Sequence, residues 1–214
     1  MSGALQAVFQ NHRSFALAIG DAYEGGFFAG QISYAGNGIA DYNLVVGPRS
    51  SALTNLAWKN AQTATTGADS VVNGTQNTAD MVADGNSTVY PAAHFCNDLV
   101  TGGKTDWYMP AKNELEICYY NLKPNTTLNS TVGGANTNAV PSRPSNYTAG
   151  NPARTTATAF INPASESFPT SNTYWTSTEV NAADARGANF DNGQQYADYK
   201  TTARTVRAIR RVAL

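Results

Sequence analysis

The chain carries little charge and almost no imidazole or thiol chemistry. Asp, Glu, Lys and Arg make up 14% of its 214 residues and nearly cancel, leaving a formal net charge of −1. A nucleic-acid partner requires a clustered positive field, so none is expected. There are only two histidines, His12 and His94, and two cysteines, Cys96 and Cys118. The chain lacks Gly-x-Ser-x-Gly, His-Glu-x-x-His, Cys-x-x-Cys and any phosphate-binding glycine loop. Gly36-Asn-Gly-Ile-Ala-Asp41 opens like a dinucleotide loop but has no third glycine and no helix after it. On a helix, His94 and Cys96 diverge and cannot act as a base and a nucleophile. The expectation is a protein that is not an enzyme. An enzyme acting on surface polysaccharide, the remaining catalytic reading, needs two carboxylates set about 5–9 Å apart in a groove.

Two cysteines are too few for a disulfide framework, and buried free thiols are expected. No stretch approaches the roughly 20 apolar residues of a membrane span, so membrane insertion is not expected. Met1-Ser-Gly-Ala-Leu-Gln-Ala-Val8 has neither the basic start nor the apolar run of a signal peptide. The Asn-x-Ser/Thr sequons at Asn73, Asn86, Asn125, Asn129 and Asn146 therefore read as accidents of composition. Large apolar residues are also scarce: Leu, Ile, Val and Phe total 37. A share that low signals disorder when net charge is high, which it is not here. Eleven Tyr, eight Phe and three Trp supply the missing apolar area. Asn and Thr contribute 46 residues, a surface suited to hydrogen bonding with sugars or proteins.

Along the chain, residues 1–18 read as an N-terminal anchor segment, with Ala4, Leu5, Val8 and Phe9 on one helical stripe, and residues 19–214 as one domain. Gly26–Tyr34 and Asp41–Val46 form a hairpin around Gly36-Asn-Gly38, with Phe28, Ile32 and Tyr34 on one face and Tyr42, Leu44 and Val46 on the other strand's matching face. Residues 50–90 show no clear element, although Trp58 is expected in the core. Pro91 opens a helix through Ala92, Phe95, Cys96 and Leu99, stopped by Gly102-Gly103. Pro110 opens a second through Leu115, Cys118, Tyr119 and Leu122, with Glu114 in its first turn and Pro124 closing it. Residues 123–173 have no period and read as long loops. Strands return at Tyr174, with Asp191-Asn-Gly193 as a three-residue hairpin turn and Thr205–Val212 as a final strand. The order implies an α+β fold.

Several blocks match a known family in order: Gly26-Phe-Phe-Ala-Gly-Gln-Ile32, Pro91-Ala-Ala-His-Phe-Cys96, Asp106-Trp-Tyr-Met-Pro-Ala-Lys-Asn-Glu-Leu-Glu116, Tyr174-Trp-Thr-Ser-Thr-Glu179 and Val206-Arg-Ala-Ile-Arg-Arg211. Together they resemble the Lcl C-terminal-type domain found at phage tail-fibre tips, a relative of the C-type-lectin-like fold. The resemblance implies a C-type-lectin-like fold with two helices, short antiparallel sheets and long irregular loops. It implies a tail-tip receptor-binding protein of the virion, assembled in the host cytoplasm. Such a protein holds a host-surface glycan or outer-membrane protein on its C-terminal loops and joins other tail proteins through residues 1–18. By analogy with tail fibres it is a homotrimer. The alternative is a structural tail-tip component without receptor contact.

Lectin-like tail-tip proteins include some that are diversified at C-terminal positions. The polar residues of that region here are Asn181, Asp184, Arg186, Asn189, Asp191, Asn192, Gln194, Tyr196 and Asp198. A hairpin turn projects such groups outward from a rigid scaffold, and this set is the expected ligand-binding surface. Arg186 leads it because a guanidinium offers five donors and a stacking plane. Tyr196 follows because its ring can be buried while its hydroxyl bonds. The family's aromatic after Ser-Thr-Glu is missing from Val180–Ala188. No cofactor is expected. Ca²⁺ alone is left open, through the loop oxygens of Asp184, Asp191 and Asn192, although turn chemistry explains Asp191-Asn-Gly193 without a metal. Trp107, Tyr108, Tyr174 and Trp175 are expected to pack the core. Lys200, Arg204, Arg207, Arg210 and Arg211 are expected to pair with the domain's own carboxylates.

Overall fold

The computed structural model describes residues 17–214, so all but the last two residues of the expected anchor segment 1–18 lie outside it. Ten strands and four helices follow in the order β1 (Ala22–Tyr23), β2 (Gly26–Ile32), β3 (Tyr42–Val46), α1 (Arg49–Ala52), β4 (Leu53–Ala57), α2 (Gly74–Asp84), α3 (Pro91–Asn97), α4 (Lys112–Leu122), β5 (Ala139–Val140), β6 (Thr173–Glu179), β7 (Asp184–Asn189), β8 (Gln195–Tyr199), β9 (Ala203–Arg207) and β10 (Ile209–Ala213). One sheet runs β1-β2-β3-β10, with β5 also on β2; the other runs β4-β9-β6-β7-β8. Pairing is antiparallel except for one parallel bridge, Tyr174 to Thr205, between β6 and β9.

The hairpin of β2 and β3 forms as the alternation predicts, with one correction. The register slips between Phe28 and Gly30, where Gly30 has φ +130. The bulge turns Phe28 away from Ile32. Phe27, Ala29 and Ile32 then pack with Leu44 and Val46 in one core cluster, while Phe28 meets the edge of Tyr23 on the other face. The expected final strand is also two strands. β9 lies in one sheet and β10 in the other, and the chain changes sheets at Ala208. The earlier passage from β3 through α1 to β4 crosses between the same two sheets. The crossings are bonded to each other, Gly47 N–H to Ala208 O at 3.0 Å and Ala208 N–H to Ala52 O at 2.9 Å.

Helix α4 carries the expected stripe: Leu115, Cys118, Tyr119 and Leu122 are all buried in the larger core cluster. It begins two residues after Pro110, and α3 ends at Asn97, short of Gly102-Gly103. Those glycines instead turn the chain between Thr101 and Lys104. Trp58 is fully buried, with Nε1 donating to Thr176 O at 2.9 Å. Trp107, Tyr108, Tyr174 and Trp175 are buried as expected, and both cysteines are buried free thiols. Burial raises the pKa of both thiols, which keeps them protonated and unreactive.

The first turn of α4 is capped from outside the helix. Lys112 N–H donates to Thr178 Oγ1 at 3.0 Å and Asn113 N–H to Val71 O at 2.8 Å. Glu114 reaches back to Ala111 N–H at 2.7 Å, and also accepts from Gly74 N–H at 3.1 Å and Tyr108 O–H at 2.7 Å. Burial outweighs these three donors and pushes the Glu114 carboxyl from 4.5 up to about 7. Between those values the native state holds a proton that the unfolded state has lost, so stability falls as pH rises through this window. Urea unfolding at either end of the window should show Glu114→Gln losing less stability than the parent, by up to about 3 kcal/mol. Glu116 is raised in the same direction by burial, so a pH dependence that is smaller but not abolished is the expected result. Parallel curves for parent and variant would assign the effect elsewhere.

Candidate functional site

Strands β7 and β8 form the hairpin expected to carry the ligand-binding residues, and β8 is the free edge of its sheet. The turn between them spans residues 190–194, two residues longer than the three-residue form, because Phe190 enters the core and Asn189 N–H closes on Gln194 O at 2.9 Å. It does not project outward. Ser130 N–H donates to Asn192 O at 2.8 Å, and Asp191 Oδ1 accepts from Asn125 Nδ2 at 2.6 Å and Thr127 Oγ1 at 3.0 Å. Gly193 has φ +71, and a Cβ there would lie 2.3 Å from the Tyr119 ring. Only glycine meets both demands, and the turn is docked on α4 and the long loop.

Most of the other predicted residues are engaged locally. Asn181 Oδ1 accepts from Ala183 N–H at 2.7 Å and Asp184 N–H at 2.9 Å, and its amide donates to Asp184 Oδ2 at 3.0 Å. Asn189 Oδ1 accepts from Asp191 N–H at 2.7 Å and Asn192 Oδ1 from Gln194 N–H at 3.0 Å, the local turn bonds that Asn commonly makes. Asp198 pairs with Arg204, Oδ2 accepting from Nε at 2.8 Å. The Tyr196 ring covers Gly187, where a Cβ would sit 2.5 Å from its hydroxyl, and that hydroxyl is buried without a hydrogen-bond partner among the described residues. Gln194 is exposed. Arg186 is half-buried beside Lys112 and makes no side-chain hydrogen bond or ion pair among the described residues.

Arg186 therefore differs from the C-terminal cations. Lys200 pairs with Glu179, Arg204 with Asp198, Arg207 with Glu166, and Arg210 with Asp106 through two bonds of 2.7 and 2.8 Å. The bidentate pair holds the Asp106 carboxyl below its usual range, and the same pair together with Glu24 raises Arg210. Arg211 is the exception to the expected pairing with carboxylates. Its guanidinium lies over the rings of Tyr34 and Tyr42 and donates to Asn73 Oδ1 at 3.2 Å. Tyr199, 57% exposed at the end of β8, is an outward aromatic that the polar-residue criterion passed over. Its alternation with Ala197 and Gln195 along the edge strand was the available signal.

The oxygens considered for Ca²⁺ do not converge. Asp184 opens β7 and Asp191 lies two residues past its other end, roughly 15–20 Å away at the rise of an extended strand. Among the described residues no group of three His, Cys, Asp or Glu side chains is placed to hold a metal. His94, on α3, contacts Gly85 O at 2.8 Å through Nε2, while Cys96 is fully buried two residues on.

A model of the Lcl C-terminal domain family matches residues 50–210. No curated protein matches the chain. Among solved structures, a fimbrial protein from Bacteroides ovatus is similar at 16% identity and a TM-score of 0.44, over 78% of this chain and 35% of that one. The chain thus spans about a third of the fimbrial protein's length.

Proposed function

The chain belongs to the Lcl C-terminal domain family, and we propose that it is a receptor-binding module of a phage tail tip with a C-type-lectin-like fold. It presents the β7–β8 edge hairpin to a host-surface glycan or outer-membrane protein. In the virion it acts as a homotrimer joined to other tail proteins through residues 1–18. Two short sheets, packed helices and a long irregular region between α4 and β6 support the lectin-like architecture. The observation that carries the binding role is the state of Arg186. Most of its polar neighbours in the hairpin are already hydrogen-bonded within the domain, and four of the five C-terminal cations are spent on internal carboxylates. Arg186 keeps its donors uncommitted at a half-exposed position next to Lys112 and an open strand edge. An uncommitted guanidinium is the side chain best suited to a planar or hydroxyl-rich partner.

The purified protein should adsorb to cells of the host. Arg186→Ala should weaken that adsorption by about 1–3 kcal/mol, the range of an interface hot spot, with thermal stability nearly unchanged because no internal partner is lost. Tyr196→Ala would combine lost contact with a cavity over Gly187, so its binding loss must be read beside its melting temperature. Absence of adsorption to any host cell, or adsorption indifferent to Arg186→Ala, would count against this surface.

A further inference from the structure

The ladder between β7 and β8 leaves one stretch of backbone open, and its place follows from the bonds at the two ends. Lys200 N–H donates to Ala183 O at 2.9 Å at one end, and Asn189 N–H to Gln194 O at 2.9 Å at the other. In the register between them Arg186 lies opposite Ala197 and Ala188 opposite Gln195. An antiparallel ladder bonds every second pair, so the bonded pairs are Ala185 with Asp198 and Gly187 with Tyr196. The N–H and C=O groups of Gln195, Ala197 and Tyr199 therefore point away from β7, along the free edge. Tyr199 is closed locally. Its N–H donates to Asp198 Oδ1 at 2.8 Å and its C=O accepts from Thr202 N–H at 2.9 Å. The outward groups of Gln195 and Ala197 have no partner among the described residues, and Ala197 is exposed. Donors and acceptors are thus left in alternation over residues 195–197.

The uncommitted guanidinium of Arg186 stands beside this stretch. Side chains alternate along a strand, and here Ala185 packs in one core cluster and Ala188 in the other, with Leu115 and Tyr119 of α4. Arg186 shares the face of Ala188. It emerges on the helix side of the sheet, where Lys112 opens α4 and adds a second cation. The carboxylates of this region are taken, Asp184 by Asn181, Glu116 by Arg143 and Asp198 by Arg204. Ala197, directly across from Arg186, has only a methyl group. No side chain at the paired position on β8 stands between the guanidinium and a strand added to the edge. The outer strands β4 and β10 have no such companion, because Arg204, Arg207, Arg210 and Arg211 beside them are bound internally.

Alternating donors and acceptors on a strand edge match another peptide backbone. An unpaired cation at a cross-strand position favours an acidic side chain on the same face. At about 4.8 Å per strand spacing, a residue opposite Ala197 on an added strand lies about 10 Å from Arg186, Cα to Cα, within the combined reach of an arginine and a carboxylate side chain. We infer that the β8 edge docks an extended acidic segment of a receptor protein as an added strand, with an aspartate or glutamate opposite Ala197 pairing with Arg186. The inference rests on the receptor-binding reading and narrows the receptor to a protein. A second copy of this chain is the wrong occupant. Pairing two β8 edges would bring both Arg186 side chains onto one face with no uncommitted carboxylate between them.

The test is adsorption of the full chain to host cells that are intact, stripped of surface protein with protease, or oxidised with periodate to destroy glycans. The parent should bind intact and periodate-treated cells and fail on protease-treated ones. Ala197→Pro removes one outward N–H and no bond to β7, the setting in which an edge strand accepts proline. It should lose adsorption to intact cells about tenfold or more, while melting close to the parent and keeping its oligomeric state. Ala197→Glu keeps every backbone group, gives Arg186 an internal partner and repels an acidic strand. It should lose adsorption to a similar extent, and it carries the test if the proline variant does not fold. Adsorption that survives protease but not periodate would overturn the inference and leave the receptor reading in place with a glycan. Adsorption unchanged in either folded variant, or an altered oligomeric state in Ala197→Pro, would also overturn it. Adsorption to no host cell would remove the receptor reading itself, and this inference with it.

Discussion

Replacing Arg207 by Ala is expected to destabilise the fold by about 3–5 kcal/mol, the cost of removing one partner from a buried, hydrogen-bonded ion pair. Arg207 ends β9 and is fully buried. Its Nε and Nη2 donate to Gly47 O at 3.0 and 2.9 Å, Nη1 to Glu166 O at 3.0 Å and Nη2 to Glu166 Oε2 at 3.0 Å. Burial brings its pKa down to about 10, so it remains charged at neutral pH. Gly47 lies on the first crossing between the sheets and Ala208, the next residue, on the second. One side chain thus satisfies the carbonyl that the first crossing exposes and anchors the residue 160 positions later. In the Ala variant that carbonyl loses its two donors, the Glu166 carboxylate keeps only Arg49 N–H, at 2.7 Å, and a void opens beneath the Phe168 ring, which the guanidinium now covers at 4.9 Å. Arg207→Lys should recover only part of the loss, because a single ammonium cannot serve all three acceptors in a fixed fork. Urea unfolding would read this as a lower midpoint at unchanged slope. A chain of this size should lose roughly 2–4 °C of melting temperature per kcal/mol. A loss below about 1 kcal/mol would place Arg207 among weak surface pairs and remove it as the link between the crossings.

Arg207 also shows where sequence reading reaches its limit. The alternation in Thr205–Val212 correctly marks extended chain, but nothing in it marks a change of sheet at Ala208. That depends on Gly47 and Ala52, more than 150 residues earlier. The stripes of α4 and of β3 were legible because their buried sides are apolar. Helix α2 was not, because its buried side includes Asn77 and Thr78. Hydrogen bonds hold them there, Asn77 Nδ2 to Ser70 O at 2.7 Å and Met109 N–H to Thr78 Oγ1 at 3.1 Å. A helix that buries amides and hydroxyls leaves no apolar period to detect. The candidate site was only partly legible for a related reason. Polar residues at a hairpin either build the turn or face a ligand, and composition does not distinguish the two. In the structure Asn181, Asn189 and Asn192 build turns, while Asp191 and Asp198 serve neighbouring segments.

Lys200→Met should cost about 3–5 kcal/mol, with a consequence for the loop that follows Glu179. Lys200 is fully buried, and burial lowers its pKa against the pull of Glu179. Its Nζ is bound to Glu179 and donates to Thr63 O at 2.9 Å and Ala182 O at 3.1 Å, while lying 4.9 Å from the Trp58 ring centre. Its backbone N–H donates to Ala183 O at 2.9 Å. Lys200 is therefore the post to which residues 182–183, at the entrance to β7, are tied. Methionine fills most of the volume but provides no donor, and leaves the Glu179 carboxylate only the Thr65 N–H, at 3.1 Å from both oxygens. If the unpaired carboxylate causes the loss, then Lys200→Met with Glu179→Gln should be more stable than Lys200→Met alone, a coupling that a double-mutant cycle isolates. Amide hydrogen exchange should quicken at Ala183 and Asp184 in the single variant, while Cys118, Tyr119 and Leu122 of α4, which lie in the other core cluster from Trp58, keep their protection. A cycle with no coupling, or exchange that quickens uniformly along the chain, would mean that Lys200 acts by filling space alone and leaves the position of residues 182–183 to their own turn bonds.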